Sequence, residues 1–108
     1  MSYILWLDDM RNPVDNGHVT NILYDGTIIW CTNLTQAKTC IMCNGMPEHM
    51  FLDHDLGPHE DTMMFLKWLY DYDCVFTKFP TWDFLTANLV GQKNMQAFLT
   101  SWKKSLSM

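Results

Sequence analysis

Short apolar runs alternate with longer amphipathic segments along this chain of 108 residues, and this alternation restricts the fold more than any other feature. Four runs have the length and composition of β-strands: Tyr3–Leu7, Thr27–Cys31, Met50–Leu52 and Trp82–Leu85. Three segments repeat apolar residues at helical spacings: residues 34–43, 61–72 and about 91–105. Strands that alternate with helices favour a parallel sheet with helices packed on its faces. We therefore expect an α/β fold, a small, doubly wound, three-layer domain with about four parallel strands.

Capping and turn residues mark where the predicted helices begin and end. Thr32 or Asn33 is expected to cap the first helix, and Gly45 is expected to end it. Asp61 is well placed to cap the second helix. A short extra strand is predicted near Val19–Tyr24.

Composition and charge limit the classes of function. The chain is long enough for one folded domain, residues 1–108, and its 48% of hydrophobic residues argue against disorder. A net charge of −5 argues against a surface that binds duplex DNA, because such a surface needs basic patches. The first apolar run is too short for a secretion signal or a membrane span, so we expect a cytoplasmic protein without a membrane partner.

The cysteines give only a weak metal signal. Cys40 and Cys43 form a single C-x-x-C inside a predicted helix, without the second pair that zinc sites usually have. Buried, reduced thiols are the simpler interpretation of the four cysteines, which are Cys31, Cys40, Cys43 and Cys74.

Two of the predicted strands end on acidic residues. Asp8 and Asp9 follow the first strand, and Asp53 and Asp55 follow the strand of the "FLDHDLG" segment. Because ligands bind beyond the carboxyl ends of parallel strands, we expect these four carboxylates to converge on one rim of the sheet. Two like charges about 5 Å apart repel by roughly 3 kcal/mol at an effective dielectric constant of about 20. A hard cation such as Mg²⁺, which prefers oxygen ligands, would relieve that repulsion and could position a phosphoryl group.

The same acids have a simpler interpretation, since loops at strand ends are commonly solvated and acidic. His54 fits two roles equally well, a general acid or base and a ring oriented by a neighbouring carboxylate. His59 and Glu60 are predicted to lie in a solvated loop, although with residues 53–55 they could also hold a transition metal.

Polar residues after the last strand form a second candidate region. Thr86 and Asn88 precede the third helix, and Lys93 lies near its start. Free backbone N–H groups at a helix N-terminus, together with one cation, suit a phosphate. An ordinary strand-to-helix turn capped by Asn88 explains the segment equally well.

Three motifs together resemble the cyclic-phosphate processing receiver-like family, a compact relative of response-regulator receiver domains. They are "WLDDMRNP" at 6–13, "FLDHDLG" at 51–57 and "NLVGQKNM" at 88–95. The resemblance covers nearly the whole chain and implies a truncated receiver or flavodoxin-like sheet. By the same resemblance, Asp8 and Asp9 match the metal-binding pair, Asp53 the acceptor position and Thr86 the hydroxyl position.

The family is associated with cyclic phosphate ends of RNA or related nucleotides, in repair or in conflicts between phage and host. We therefore hypothesise an Mg²⁺-dependent phosphoesterase or phosphoryl-transfer domain that acts on a nucleotide or an RNA terminal phosphate. Asp8, Asp9 and Asp53 would hold the metal, and Asp53 and His54 would be catalytic. Residues assigned to the substrate are Arg11, Asp55, Thr86, Asn88, Lys93 and Asn94.

Two departures from the family pattern keep other functions open. Leu85-Thr86 stands where the family usually has His-Ser, and leucine cannot transfer a proton. The segment after "FLDHDLG" reads Asp61-Thr62-Met63 and lacks the glycine that the family usually has near the start of the helix. The alternative hypothesis is therefore a binding module without catalysis, which sequesters a nucleotide or binds a protein partner. No fifth strand ending in lysine is predicted, which disfavours an aspartate-phosphorylation switch.

Overall fold

The computed structural model describes residues 3–10, 27–72, 76 and 78–106, which form four strands and three helices. The strands are β1 (Tyr3–Leu7), β2 (Thr27–Cys31), β3 (His49–Leu52) and β4 (Thr81–Phe84). The helices are α1 (Leu34–Asn44), α2 (Thr62–Tyr72) and α3 (Leu89–Leu106). The predicted extra strand at Val19–Tyr24 and Cys74 lie outside the described residues.

All four strands are parallel, in the spatial order β2-β1-β3-β4. This arrangement confirms the predicted α/β fold with four parallel strands. The described helices cover one face of the sheet, so the described residues form two layers where three were expected. The central strand β1 is fully buried along its length, which explains why its sequence is apolar at every position. In register, Leu7 of β1 pairs with Cys31 of β2 and with Leu52 of β3. The three strands therefore end level with one another.

The three helices share one face of the sheet. The chain moves in one direction across the sheet from β2 to β3 and from β3 to β4, so right-handed crossovers place α1 and α2 on the same side. Tyr3, Leu5 and Leu7 of β1 contribute to that core, together with buried residues from all three helices. On the opposite face, Ile4 and Trp6 pack with Phe51 in a second buried cluster.

The observed helix ends follow the capping residues closely. The Asn33 side chain accepts a hydrogen bond from the Gln36 N–H at 2.9 Å and begins α1, and Gly45, with φ of 80°, ends it. The Asp61 carboxylate accepts from the Met64 N–H at 3.0 Å, which confirms its predicted capping role. Helix α3 begins at Leu89, two residues before the predicted start, because Asn88 rather than Gly91 precedes its first turn.

Helix α2 and the loop before it bury different groups from those that the sequence pattern suggests. Met64 and Tyr72 are exposed although both are apolar or aromatic, and the helix buries Phe65, Leu66 and Leu69. The Glu60 side chain was expected to be solvated, but its carboxylate accepts the Leu34 N–H at 3.0 Å. It therefore satisfies a backbone donor at the start of α1, where the helix dipole favours negative charge.

The interpretation of the cysteines as buried thiols is confirmed for Cys31 and Cys40 and is wrong for Cys43. Cys31 and Cys40 are buried thiols, and Cys43 is an exposed free thiol. The Cys31 thiol donates a hydrogen bond to the Cys40 sulfur, which lowers the pKa of Cys40 to about 6 and raises the pKa of Cys31. Separately, none of the helices within the described ranges combines the length and apolar character needed to cross a bilayer.

A polar contact between a largely buried His49 and an exposed Asp83 links the adjacent strands β3 and β4 on the helix-free side of the described structure. His49 Nε2 lies 3.1 Å from an Asp83 carboxylate oxygen, and His49 Nδ1 lies 2.5 Å from the Thr81 hydroxyl oxygen. The neutral tautomer with a proton on Nε2 satisfies both contacts, because Thr81 can then donate to Nδ1. Burial lowers the pKa of His49, and the opposing attraction of Asp83 and Glu48 does not offset that effect.

Stability should consequently fall on mild acidification. An unfolded histidine has a pKa near about 6.5, so the unfolded chain binds a proton before folded His49 does. The contribution of neutral His49 is present above that pH and is lost as the pH falls from there through the lowered folded-state value. The loss has a slope of at most about 1.4 kcal/mol per pH unit.

Urea unfolding of the native protein and of His49→Gln between pH 7.5 and 5 measures this term. We expect the native protein to lose more stability than the variant over that range. His59→Gln is the matched control, because His59 is exposed. Parallel pH profiles for the native protein and His49→Gln would contradict the assignment.

Candidate metal and phosphate site

Three carboxylates meet at the carboxyl end of the sheet. Asp8, Asp9 and Asp53 each offer an oxygen, and these atoms all lie within 4.8 Å of one another. Asp8 is fully buried, while Asp9 and Asp53 are half-buried. Residues 8, 9 and 53 thus converge as their positions after β1 and β3 predict.

Asp8 is fixed by hydrogen bonds to both neighbouring segments. Its N–H donates to the Cys31 carbonyl at 3.1 Å, and its carbonyl accepts from the Trp30 indole N–H at 2.8 Å. Its carboxylate accepts the Met10 N–H at 2.9 Å, which turns the chain sharply after β1. The end of β2 therefore positions Asp8, a role that the sequence pattern does not reveal.

Asp53 is held equally firmly on the other side. Its N–H donates to the Leu7 carbonyl at 2.9 Å, which extends the β1–β3 ladder by one bond. Its carbonyl accepts the Thr62 hydroxyl, and its carboxylate accepts the His54 N–H at 2.9 Å. Thr62 is fully buried and its N–H donates to the His54 carbonyl at 2.8 Å, so the start of α2 anchors this turn. Sequence reasoning missed Thr62.

The donor set fits a hard cation. All three ligand atoms are carboxylate oxygens, with no nitrogen or sulfur among them, which suits Mg²⁺ or Ca²⁺ rather than a softer metal. Three anionic groups at this separation repel one another strongly in a partly buried site. Exposed acids often cluster without metal, but here one carboxylate is fully buried and all three come from well-ordered strand ends.

The fourth acid expected at this rim is directed elsewhere. The Asp55 side chain is 68% exposed, and its carboxylate lies 3.0 Å from His54 Nδ1. It does not belong to the cluster of three, so the expectation that four carboxylates converge is wrong for Asp55. The reason is local, because Asp55 forms a bridge with Asp61 and so turns away from the strand axis.

His54 lies between two polar side chains. Its Nδ1 is 3.0 Å from the Asp55 carboxylate and 3.4 Å from the Asn88 amide nitrogen. These contacts require opposite tautomers, and the shorter one, to a carboxylate, is the stronger. We therefore place the proton on Nδ1, donated to Asp55, which leaves the Nε2 lone pair open as a proton acceptor. The Asn88 contact then serves for packing rather than as a hydrogen bond.

Asn88 begins α3 as a side-chain cap. Its side-chain oxygen accepts the Gly91 N–H at 2.9 Å, and its backbone N–H donates to the Thr86 hydroxyl at 3.0 Å. The structure thus realises the simpler of the two interpretations of this segment, a capped turn. The Gly91 N–H, which a phosphate could otherwise have used, is already engaged.

The backbone at Gly91 lies very close to the His54 ring, a contact that the sequence did not predict. A Cβ built on Gly91 would lie 2.4 Å from His54 Cγ and 2.5 Å from His54 Cδ2, well inside contact distance. The imidazole therefore rests directly on the backbone of α3. A glycine inside a helix pattern was the available signal, because it lowers helix propensity without an evident turn.

The remaining predicted substrate residues do not belong to the cluster of three acids or lie outside the described residues. Lys93 borders a groove beside β4, and Asn94 borders a different groove between α2 and α3. Arg11 lies outside the described residues. The roles of these three residues stay predictions.

Comparison with known proteins identifies the family. Residues 3–101 match the profile of the cyclic-phosphate processing receiver domain. The chain belongs to that family. Among curated proteins, none matches. A solved structure described as a yeast Spc42 trimeric coiled coil, amino acids 181–211, fused to another structure is similar, with a TM-score of 0.64 and 19% identity. The match covers 90% of this chain and 60% of that one, and at this identity it supports the fold alone.

Replacing Gly91 by alanine tests the contact with His54. In a helix interior, glycine to alanine normally stabilises by about 0.5–1 kcal/mol. Here we expect Gly91→Ala to destabilise the native protein by roughly 1–3 kcal/mol, because the new methyl overlaps the imidazole. In a His54→Ala background the same change should become stabilising, and urea unfolding of the four proteins in this cycle measures both values. The same effect of Gly91→Ala in both backgrounds would contradict the contact.

Replacing Asp53 by asparagine tests the shared cation. Without metal, Asp53→Asn should leave stability unchanged or raise it by up to about 1 kcal/mol, because it removes one of three like charges. The variant should lose most of the Mg²⁺-dependent rise in melting temperature, which depends on metal concentration relative to the dissociation constant.

Asp55→Asn is the matched control for this experiment, because Asp55 lies outside the cluster and should keep the full Mg²⁺ effect. Thermal melts with and without millimolar Mg²⁺ are sufficient. If Mg²⁺ raises the melting temperature of the native protein and Asp53→Asn equally, the acids form a solvated rim and no shared site.

Proposed function

We propose that this receiver domain is a metal-dependent phosphoesterase that opens a cyclic phosphate on a nucleotide or an RNA end. The observation that carries the proposal is the cluster of Asp8, Asp9 and Asp53, three oxygens within 4.8 Å at the end of a parallel sheet. Membership of a cyclic-phosphate processing family supports the substrate class. The net charge of −5 favours a small phosphate ligand held at one site over an extended nucleic-acid surface.

The three acids would hold Mg²⁺. When bound, the ion supplies positive charge against the phosphate oxygens, on which negative charge develops during phosphoryl transfer. Asp8, already rigid through its bonds to Met10 and Cys31, would keep that ion at a fixed position relative to β1. Asp53 and Asp9 would supply its other carboxylate oxygens.

His54 would move the proton. In ring opening, water adds to phosphorus, one P–O bond to the ribose breaks, and the released ribose oxygen gains a proton. With Nδ1–H donated to Asp55, the Nε2 lone pair of His54 can accept a proton from water and return it to the leaving oxygen. Asp55 thus orients the imidazole, while Gly91 gives the ring its place on α3.

A second candidate function is binding without turnover. Leu85 packs against the buried cluster of Ile4, Trp6 and Phe51 on the sheet face and cannot serve as a proton donor. If chemistry in the family depends on a histidine at that position, this chain would retain ligand binding and lose catalysis. The ligand would then be a sequestered nucleotide.

Incubation with adenosine 2′,3′-cyclic phosphate and Mg²⁺ distinguishes the two functions. We expect conversion to the monophosphate, followed by ³¹P NMR, with a rate reduced by about two orders of magnitude in Asp53→Asn because several kcal/mol of charge stabilisation is lost. His54→Gln should lose rate while keeping the affinity for Mg²⁺.

Thr39→Ala serves as the activity control, because Thr39 is an exposed residue of α1 and belongs neither to the acid cluster nor to the residues assigned to the substrate. Calorimetric binding of the nucleotide without any turnover would favour the binding module. An equal rate for Asp53→Asn and the native protein would remove Asp53 from the proposed mechanism.

A further inference from the structure

A groove of about 440 Å³ lies beside β4, the last strand in the described sheet. Its lining residues come from the end of β4 and the first two turns of α3: Phe84, Leu89, Gln92, Lys93 and Gln96. This volume is within the range of about 300–1,000 Å³ that is common for small-molecule sites. The groove is separate from the acid cluster and contributes nothing to it.

Both walls of the groove begin next to the acid cluster. Phe84 pairs in register with Leu52, the residue before Asp53. On the other wall, Leu89 follows Asn88, whose amide nitrogen is 3.4 Å from His54 Nδ1. A ligand whose phosphate lies at the rim would therefore meet the mouth of this groove with its next chemical group.

The lining combines three kinds of group. Phe84 and Leu89 are apolar, and Leu89 is 73% exposed although it carries no polar atom in its side chain. Gln92 is half-buried, and its amide makes no hydrogen bond among the described residues. Lys93 brings a positive charge and forms no ion pair within the part of the chain that the structure describes.

The third polar group of the lining, the Gln96 amide, is already hydrogen-bonded. The Gln96 amide oxygen accepts the Trp82 indole N–H at 2.9 Å, and its nitrogen donates to the Thr100 hydroxyl at 2.9 Å. These two bonds fix the floor of the groove and leave Gln92 as the amide open to a ligand. Apolar and aromatic contact with one face of a planar ring, plus an amide on its edge, is how proteins recognise unstacked nucleobases.

We propose that this groove binds the nucleoside portion of the substrate, with the base against Phe84 and Leu89 and its polar edge on Gln92. The inference rests on the proposed function for the position of the phosphate, and it adds the residues that hold the nucleoside. Lys93 then provides a positive charge, from within the groove, that attracts the negatively charged nucleotide.

Leu89 and Val90 provide a matched pair for the test. They are neighbours on α3 with 73% and 71% exposure, but only Leu89 borders the groove. We expect Leu89→Ser and Gln92→Ala to weaken binding of adenosine 2′,3′-cyclic phosphate by about five- to tenfold, as the loss of one base contact does. Val90→Ser should bind like the native protein. Calorimetry in Mg²⁺ measures these affinities, and thermal melts confirm folding.

A base-free ligand separates this inference from the proposed function. Glycerol 1,2-cyclic phosphate has the same reactive ring without a base, so it should bind more weakly than the nucleotide and equally to all four proteins. If it binds the native protein as tightly as the nucleotide does, the groove inference is overturned while the function stands. Equal effects of Leu89→Ser and Val90→Ser would overturn it as well.

Adenosine, which has no phosphate, tests the groove independently of the acid cluster. In NMR titrations it should shift the backbone amide resonances of Leu89, Gln92 and Lys93 without Mg²⁺. If it does so while neither cyclic phosphate perturbs Asp8, Asp9 or Asp53, the groove is a nucleoside site and the proposed function fails. If no adenosine compound perturbs the groove residues, its occupant is not a nucleoside and the inference is overturned.

Discussion

The register between β1 and β3 is the constraint on which the rest of the structure depends. Leu7 lies opposite Leu52, and the bond from the Asp53 N–H to the Leu7 carbonyl carries the ladder one residue beyond both strands. A slip of one residue would turn every side chain of β1 to the other face and separate the acids. The apolar residues on both faces of β1 prevent that slip, so the same side chains that stabilise the core also set the geometry of the site.

Hydrogen bonds around the loop between β3 and α2 hold the clustered carboxylates in place against their mutual repulsion. The loop between β3 and α2 is closed by Thr62, which bonds the carbonyls of both Asp53 and His54, and by Glu60, which reaches the start of α1. These bonds fix the carboxylates before any ligand arrives, so binding need not order the loop. The three carboxylates repel one another in the metal-free protein, and their combined negative charge attracts a cation.

Local pattern predicted the strands, the order of the elements and the meeting of Asp8, Asp9 and Asp53, because these follow from hydrophobic period and strand polarity. Features that depend on helix phase or on contacts distant in sequence were not predictable. Because α3 starts at Leu89 and not at Gly91, Lys93 lies in the second turn of the helix. There it borders the groove beside β4. Likewise, the contact of Gly91 with His54 joins residues 37 positions apart (91 − 54), and no periodicity in the chain encodes it.

That contact also makes two positions in the family dependent on each other during evolution. A side chain at position 91 and a ring at position 54 compete for one volume, because a Cβ on Gly91 would lie 2.4 Å from the imidazole. Homologues that retain the histidine should retain the glycine, and lineages that lose the glycine should first replace the histidine with a smaller residue. We therefore expect these two positions to covary across the family.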